Sequence, residues 1–385
     1  MNGPYYFDHA ASAPRRDEVT LAMAPWQRGV VGNPTGSHRA ARDARRAIEE
    51  ARDDVADSVG AEPGGVIFTG GGTESCHLAI VGVANRHRRT HASTSIVVSR
   101  IEHHAILDAA RAMARDCSSV TVRYVDVGRD GVVDLESLRA AVATDTAVVS
   151  VMTVNNETGV VQPIDDVARI ARAASHGASV VHTDAIAAAP WLDLPTATGA
   201  VDMVSVCAHK LGGPVNAGAL VVRGDRSLDA VVPGGGQEQG RRGGTVDVAA
   251  AVGLAAALRA TVRDRAHVNP RVVALQAKLI DGVSKLTGAE VTAVASPRVA
   301  GTVHVTFDGL ASDELLFLLD QAGVYASAAA SCSSGASASS HVLEAMGVAA
   351  DRARGSLRLS MGRETSESDV DAVLGILADS VRRLR

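Results

Sequence analysis

Lysine is nearly missing from this chain. Of 38 Lys+Arg residues only Lys210, Lys278 and Lys285 are lysine. Aromatic residues are also scarce, at 3% against 46% hydrophobic, so the core must be built from Ala, Val, Leu and Ile. No run of eighteen apolar residues occurs, so no membrane span is expected. The first residues, MNGPYYFDHAAS, lack a charged region followed by an apolar one, so no signal peptide is expected and a cytoplasmic location follows by default. There is no excess of positive charge: the formal net charge is −5, which argues against general nucleic-acid binding. The four cysteines, Cys76, Cys117, Cys207 and Cys332, lie far apart without a CxxC pair, so neither a zinc knuckle nor a disulfide framework is expected.

What remains reads as an α/β protein. Strands are expected at 66–69, 95–99, 120–127, 147–154, 179–184, 201–206 and 217–223, alternating with helices at about 38–59, from about Glu74, and at 104–116, 135–143 and 163–176. Ser37 is the expected cap of the first of these, and Gly60 its end. Such alternation implies a mostly parallel sheet with helices on both faces. Functional loops should then gather at the carboxyl ends of the strands. After the glycine-rich stretch 233–245, long helices cover about 246–286. Strands at TVHVTF and SLRLSM then mix with helices at 312–322 and 366–384, as a smaller α+β domain would. The Ala/Ser stretch 326–340 lacks anchoring groups and is expected to be mobile.

The scarcity of lysine makes Lys210 informative. It ends VDMVSVCAHK at the edge of a core, where a desolvated amine loses its proton more easily and becomes nucleophilic. The same placement suits a lysine that merely extends its amine to water. Asp184 ends another strand, 26 residues earlier, and neighbouring parallel strands would bring carboxylate and amine to one sheet edge. A pyridoxal phosphate site needs both, although an aspartate capping a turn is the plainer reading of Asp184 alone. TGGGTES (69–75) joins a strand to a helix and could cradle a phosphate or form a plain tight turn. His103 could stack on a ring or move protons, with His104 the competing choice. Arg358, in an apolar strand, needs a carboxylate, either from a substrate or from a nearby acid. Cys332 is a thiol in a polar loop and reads as reactive, whereas Cys76 and Cys117 read as packing residues.

Together these segments resemble the NifS/IscS-like cysteine desulfurases, fold-type I pyridoxal phosphate enzymes of the class-V aminotransferase family. The likeness runs nearly end to end, through YFDHAASAP, NPTGSH, TGGGTES, EHHAILD, NNETGVVQPI, HTDA, AHK, GGGQEQGRRGGT, SCSSG, SHVLEAMG and RLSMGR in family order. It implies a large cofactor-binding domain over 16–255 with a mostly parallel seven-stranded sheet. Residues 1–15 and 256–385 would form the small domain carrying the cysteine loop. It implies Lys210 as the imine lysine, Asp184 on the pyridine nitrogen and His103 on the ring. Gly72, Thr73 and His209 would hold the phosphate, with Thr245 reaching that of the partner in a homodimer. Asn156 would contact cofactor or substrate, and Arg358, with Asn33 nearby, would clamp the substrate carboxylate. L-Cysteine would be the substrate. Cys332 would take its sulfur as a persulfide and pass it to an acceptor, such as a scaffold or tRNA-thiolation protein. In some members that cysteine also ligates a nascent cluster, but no resident metal is implied. The chain departs from the family at Ala187, usually glutamine, at Cys207, often a phosphate-binding serine, and at Gln237, commonly histidine. Those changes keep open a C–S or selenocysteine lyase, an epimerase or an aminotransferase of the same fold, or a non-catalytic scaffold.

Overall fold

A computed structural model describes residues 4–328 and 340–385. Among them are twelve strands: β1 (Tyr5–Tyr6), β2 (Val66–Thr69), β3 (Thr94–Ser99), β4 (Val120–Val125), β5 (Thr146–Ser150), β6 (Val180–Asp184), β7 (Met203–Cys207), β8 (Gly218–Val222), β9 (Ala289–Val291), β10 (Thr302–Phe307), β11 (Val324–Tyr325) and β12 (Ser356–Ser360). Seven of them form one sheet in the order β2-β8-β7-β6-β5-β3-β4. β7, β6, β5, β3 and β4 are parallel, while β8 runs against both β2 and β7. The interior strands are buried at every residue, as continuous Val/Ile runs demand when helices cover both faces. Only β4 at the edge exposes side chains.

A separate three-stranded antiparallel sheet, β12-β10-β9, has its own core around Phe307, Leu357 and Leu377. The N-terminal segment belongs with it, because β1 pairs with β11, Asp8 bridges Ser360 and Phe7 is fully buried there. One helix, Val248–Ser284, joins the two regions. Its buried residues to Thr261 face the large sheet, and those from Val272 face the small one. The sequence suggests several helices here. Pro270 lies within the single helix instead, near the point where the buried face changes partner, and the bond that proline cannot make is lost there.

Local signals were close but shifted. The helix Arg39–Val59 is capped by His38, which accepts from Ala41 N, rather than by Ser37; Gly60 closes it at φ 72°. The helix after β2 starts at Gly72, not Glu74, and the strand expected over 147–154 stops at Ser150.

The glycine-rich 233–245 stretch is fixed to the sheet by a buried ion pair. Arg52 donates to both oxygens of Glu238, at 2.9 and 3.0 Å, and to Val66 O at 2.7 Å. Glu238 also accepts from Phe68 N at 2.8 Å. Glu238→Gln leaves buried Arg52 with only the exposed Glu49, at 3.1 Å, so it should destabilise the protein by about 2 kcal/mol in denaturant unfolding. A loss below about 1 kcal/mol would mean that water screens this pair.

Candidate active site

Strands β2, β3, β6 and β7 point the same way, so the segments leaving them meet at one edge of the sheet. Asp184 is the last residue of β6. Lys210 sits in the short turn His209–Leu211 just beyond β7. His103 follows β3 and caps the helix His104–Asp116, its Nδ1 accepting from Ala105 N at 3.1 Å. Gly72 and Thr73 open the helix that follows β2.

The groups sense one another. Burial raises the Asp184 carboxyl, opposed by the Ile186 N–H at 2.9 Å and by the charges of His103 and Lys210. Burial lowers the His103 imidazole, and Asp184 pulls it back up. Burial, with Lys210 and His103 adding to it, takes His209 down to about 4. Lys210 Nζ donates to the carbonyls of Ala10 and Ala11, the latter at 3.0 Å, so the N-terminal segment forms one wall of the site. A cavity opens beside Lys210, lined by His9, Ala10, Asn156, Ala187 and Trp191.

The glycine loop is tightly fitted. Gly71 has φ 137°, open only to glycine. A Cβ on Gly72 would stand 2.2 Å from Ile186 Cδ1 and 3.5 Å from Cys207 Cβ. Only glycine lets Ile186 pack this close to the helix start, whose backbone N–H groups could receive an anionic group. Cys207 lies beside this helix start. Its thiol is fully buried and pushed up to about 12, chiefly by burial, so it stays protonated.

Other residues named from sequence fall elsewhere. Arg358 is 3% exposed; it donates to Asp8 Oδ1 at 2.9 Å and to the Asn156 carbonyl at 3.0 Å. Its carboxylate partner in this structure is therefore Asp8, a residue quoted in a motif but given no role. Asn33 and Thr245 lie together in a second groove with Gln237 and Arg45, not in the cavity at Lys210. Cys332 and most of the 326–340 stretch lie outside the described residues; Ser327, Ala328 and Ser340 flank the gap. No cluster of three His, Cys, Asp or Glu suited to a metal occurs among the described residues.

Two buried carboxyls were not singled out. Glu157 accepts from Ser340 Oγ at 2.5 Å and is raised to about 7 by burial. Glu102 accepts from Ser99 Oγ at 2.5 Å and Met152 N at 2.8 Å, and burial raises it from 4.5 to about 8. The fold keeps a proton on Glu102 that the unfolded chain has lost between pH 4.5 and 8, so its contribution to stability falls as pH rises across that window. Glu102→Gln removes this fall. The Tm difference, variant minus wild type, should rise by about 2 °C or more between pH 5 and pH 8. An unchanged difference would show that Glu102 is ionised in the fold.

A family model described as aminotransferase class-V matches residues 5–373. An IscS-like cysteine desulfurase of Mycobacterium tuberculosis (strain ATCC 25618 / H37Rv) is 41% identical, covering 99% of this chain and 97% of that one. The solved structure titled NifS-like protein superposes with a TM-score of 0.91 at 31% identity, over 99% of this chain and 100% of the other. A structure titled SspA in complex with cysteine does so with a TM-score of 0.80 at 30% identity, over 94% and 100%.

Proposed function

We infer that this chain, which belongs to the class-V aminotransferase family, is a cysteine desulfurase acting on L-cysteine. The observation that carries the inference is the Lys210–Asp184–His103 group. A lysine and a buried carboxylate stand at the ends of adjacent parallel strands, with an imidazole close enough to sense both charges.

The cofactor of this reading is pyridoxal 5'-phosphate, and the residues fit it. Lys210 would hold it covalently, Asp184 would face its ring nitrogen and His103 its ring. Gly72, Thr73 and His209 would take the phosphate at the helix start, with Asn156 on the substrate side. When bound, this group serves as an electron sink for charge released at the substrate's α-carbon.

The remaining work falls to the chain. The Lys210 amine, hydrogen-bonded to the N-terminal segment, would move a proton at the substrate. Arg358 would orient the substrate carboxylate, giving up or sharing its contact with Asp8. The Cys332 thiol takes the sulfur. The substrate C–S bond breaks, an S–S bond forms, and a proton passes to the carbon, so that L-cysteine and thiol become L-alanine and persulfide. The persulfide sulfur then goes to an acceptor, in iron–sulfur assembly, tRNA thiolation or another transfer route.

A homodimer completes the site in this proposal. Asn33 and Thr245 share a groove away from their own Lys210, as residues serving a second copy would. A cytoplasmic setting agrees with the absence, among the described residues, of a helix long and apolar enough to cross a membrane.

The test is direct. Purified protein given L-cysteine should release L-alanine, with sulfide appearing when a thiol reductant is present. Pyruvate and ammonia, or amino transfer to a keto acid, would place the chain among the other activities of this fold.

A further inference from the structure

Cys76 reads from sequence as a packing residue, yet it reaches the site. It lies one helical turn after Gly72, and its Sγ stands 3.6 Å from Asp184 Oδ2. The side chain is fully buried. Burial and the facing carboxylate push the thiol well above its ordinary range, so it keeps its proton and acts as donor to that oxygen. The other oxygen of Asp184 takes the Ile186 N–H.

Behind Cys76 runs a line of buried polar groups. Ser205 of β7 is the register partner of Asp184 in the sheet. Ser205 Oγ bonds His182 Nε2 at 2.9 Å, and His182 Nδ1 bonds Ser150 Oγ at 2.8 Å. All three are fully buried. The line thus crosses β5, β6 and β7 and ends beside Asp184. Ser150, His182, Ser205 and Cys76 are out of contact with solvent, and Asp184 at 6% is nearly so.

We propose that Cys76 is a positioning residue for Asp184, its S–H holding Oδ2 in place so that the carboxylate meets the ring nitrogen of pyridoxal phosphate. This rests on the cofactor reading above. The other charges facing Asp184 are His103 and Lys210, with Glu102 beyond. Cys76 is a neutral donor to this carboxylate, lending a hydrogen bond without adding charge.

The experiment compares Cys76→Val, which keeps bulk and loses the donor, with Cys76→Ser, which keeps a donor and loses bulk. Each protein is freed of cofactor and titrated with pyridoxal phosphate, following the fluorescence of Trp191 in the cavity wall. Cys76→Val should bind about three- to tenfold more weakly, and Cys76→Ser within about twofold of wild type, as loss and retention of one hydrogen bond imply. The absorption band of the bound cofactor should shift in the valine protein only. Cys76→Ala serves in its place should the valine protein not fold. Valine binding like wild type, or serine binding worse than valine, would overturn the proposal and leave the cofactor reading intact. Wild-type protein that takes up no cofactor would overturn both.

Discussion

Lys210→Ala should lower cysteine desulfuration by at least about a thousandfold, the scale on which removal of a covalent catalytic group is felt. Lys210→Arg should be nearly as inactive. Arginine keeps the charge and can still reach the carbonyls of Ala10 and Ala11, but its guanidinium cannot take up the aldehyde. The pair of variants therefore separates chemistry from placement. Stability should change little, because Lys210 is only half-buried. The check is alanine release beside the thermal midpoint, with borohydride reduction of wild type fixing the cofactor on the peptide that contains Lys210. An arginine variant with a tenth of wild-type activity would remove Lys210 from the chemistry.

Cys332→Ser should abolish persulfide formation, with desulfuration falling by at least about a hundredfold, because a serine oxygen cannot hold the sulfane sulfur. Cofactor binding should stay unchanged. The other thiols give no substitute. Cys76 and Cys207 are buried and held protonated. Cys117 has its thiol lowered by Ser119 and Arg88, but it lies beyond the helix His104–Asp116, at the far end from His103. Cys117→Ser should therefore retain activity, and a labelled persulfide should map to one peptide only. Sulfur found on Cys117 in the Cys332→Ser protein would contradict the assignment.

Much of the large sheet was legible in the sequence, because strands buried on both faces must be apolar runs and the helices between them carry their own period. Lys210 and Asp184 were legible for a related reason: polar residues ending apolar strands stand at a sheet edge. What pairs across long separations was not. β1 and β11 are two residues each, and only their contact with one another makes them strands. Arg358 announced that it needed a carboxylate, but nothing local pointed to Asp8, 350 residues away. Cys76 resembles any small helix residue until β6 is placed beside it. Its spacing of four from Gly72, one turn into the same helix, was the signal available. Asn33 and Thr245 lie apart from Lys210 within one chain, a relation that a single sequence cannot express.

The central claim is that substrate sulfur passes to Cys332. Intact mass of the purified protein after incubation with L-cysteine, followed by peptide mapping, tests it most directly. The account predicts a gain of one sulfur atom, located on Cys332 and removed by a thiol reductant. Bound cofactor with no gain of sulfur, or sulfur on another residue, would contradict it.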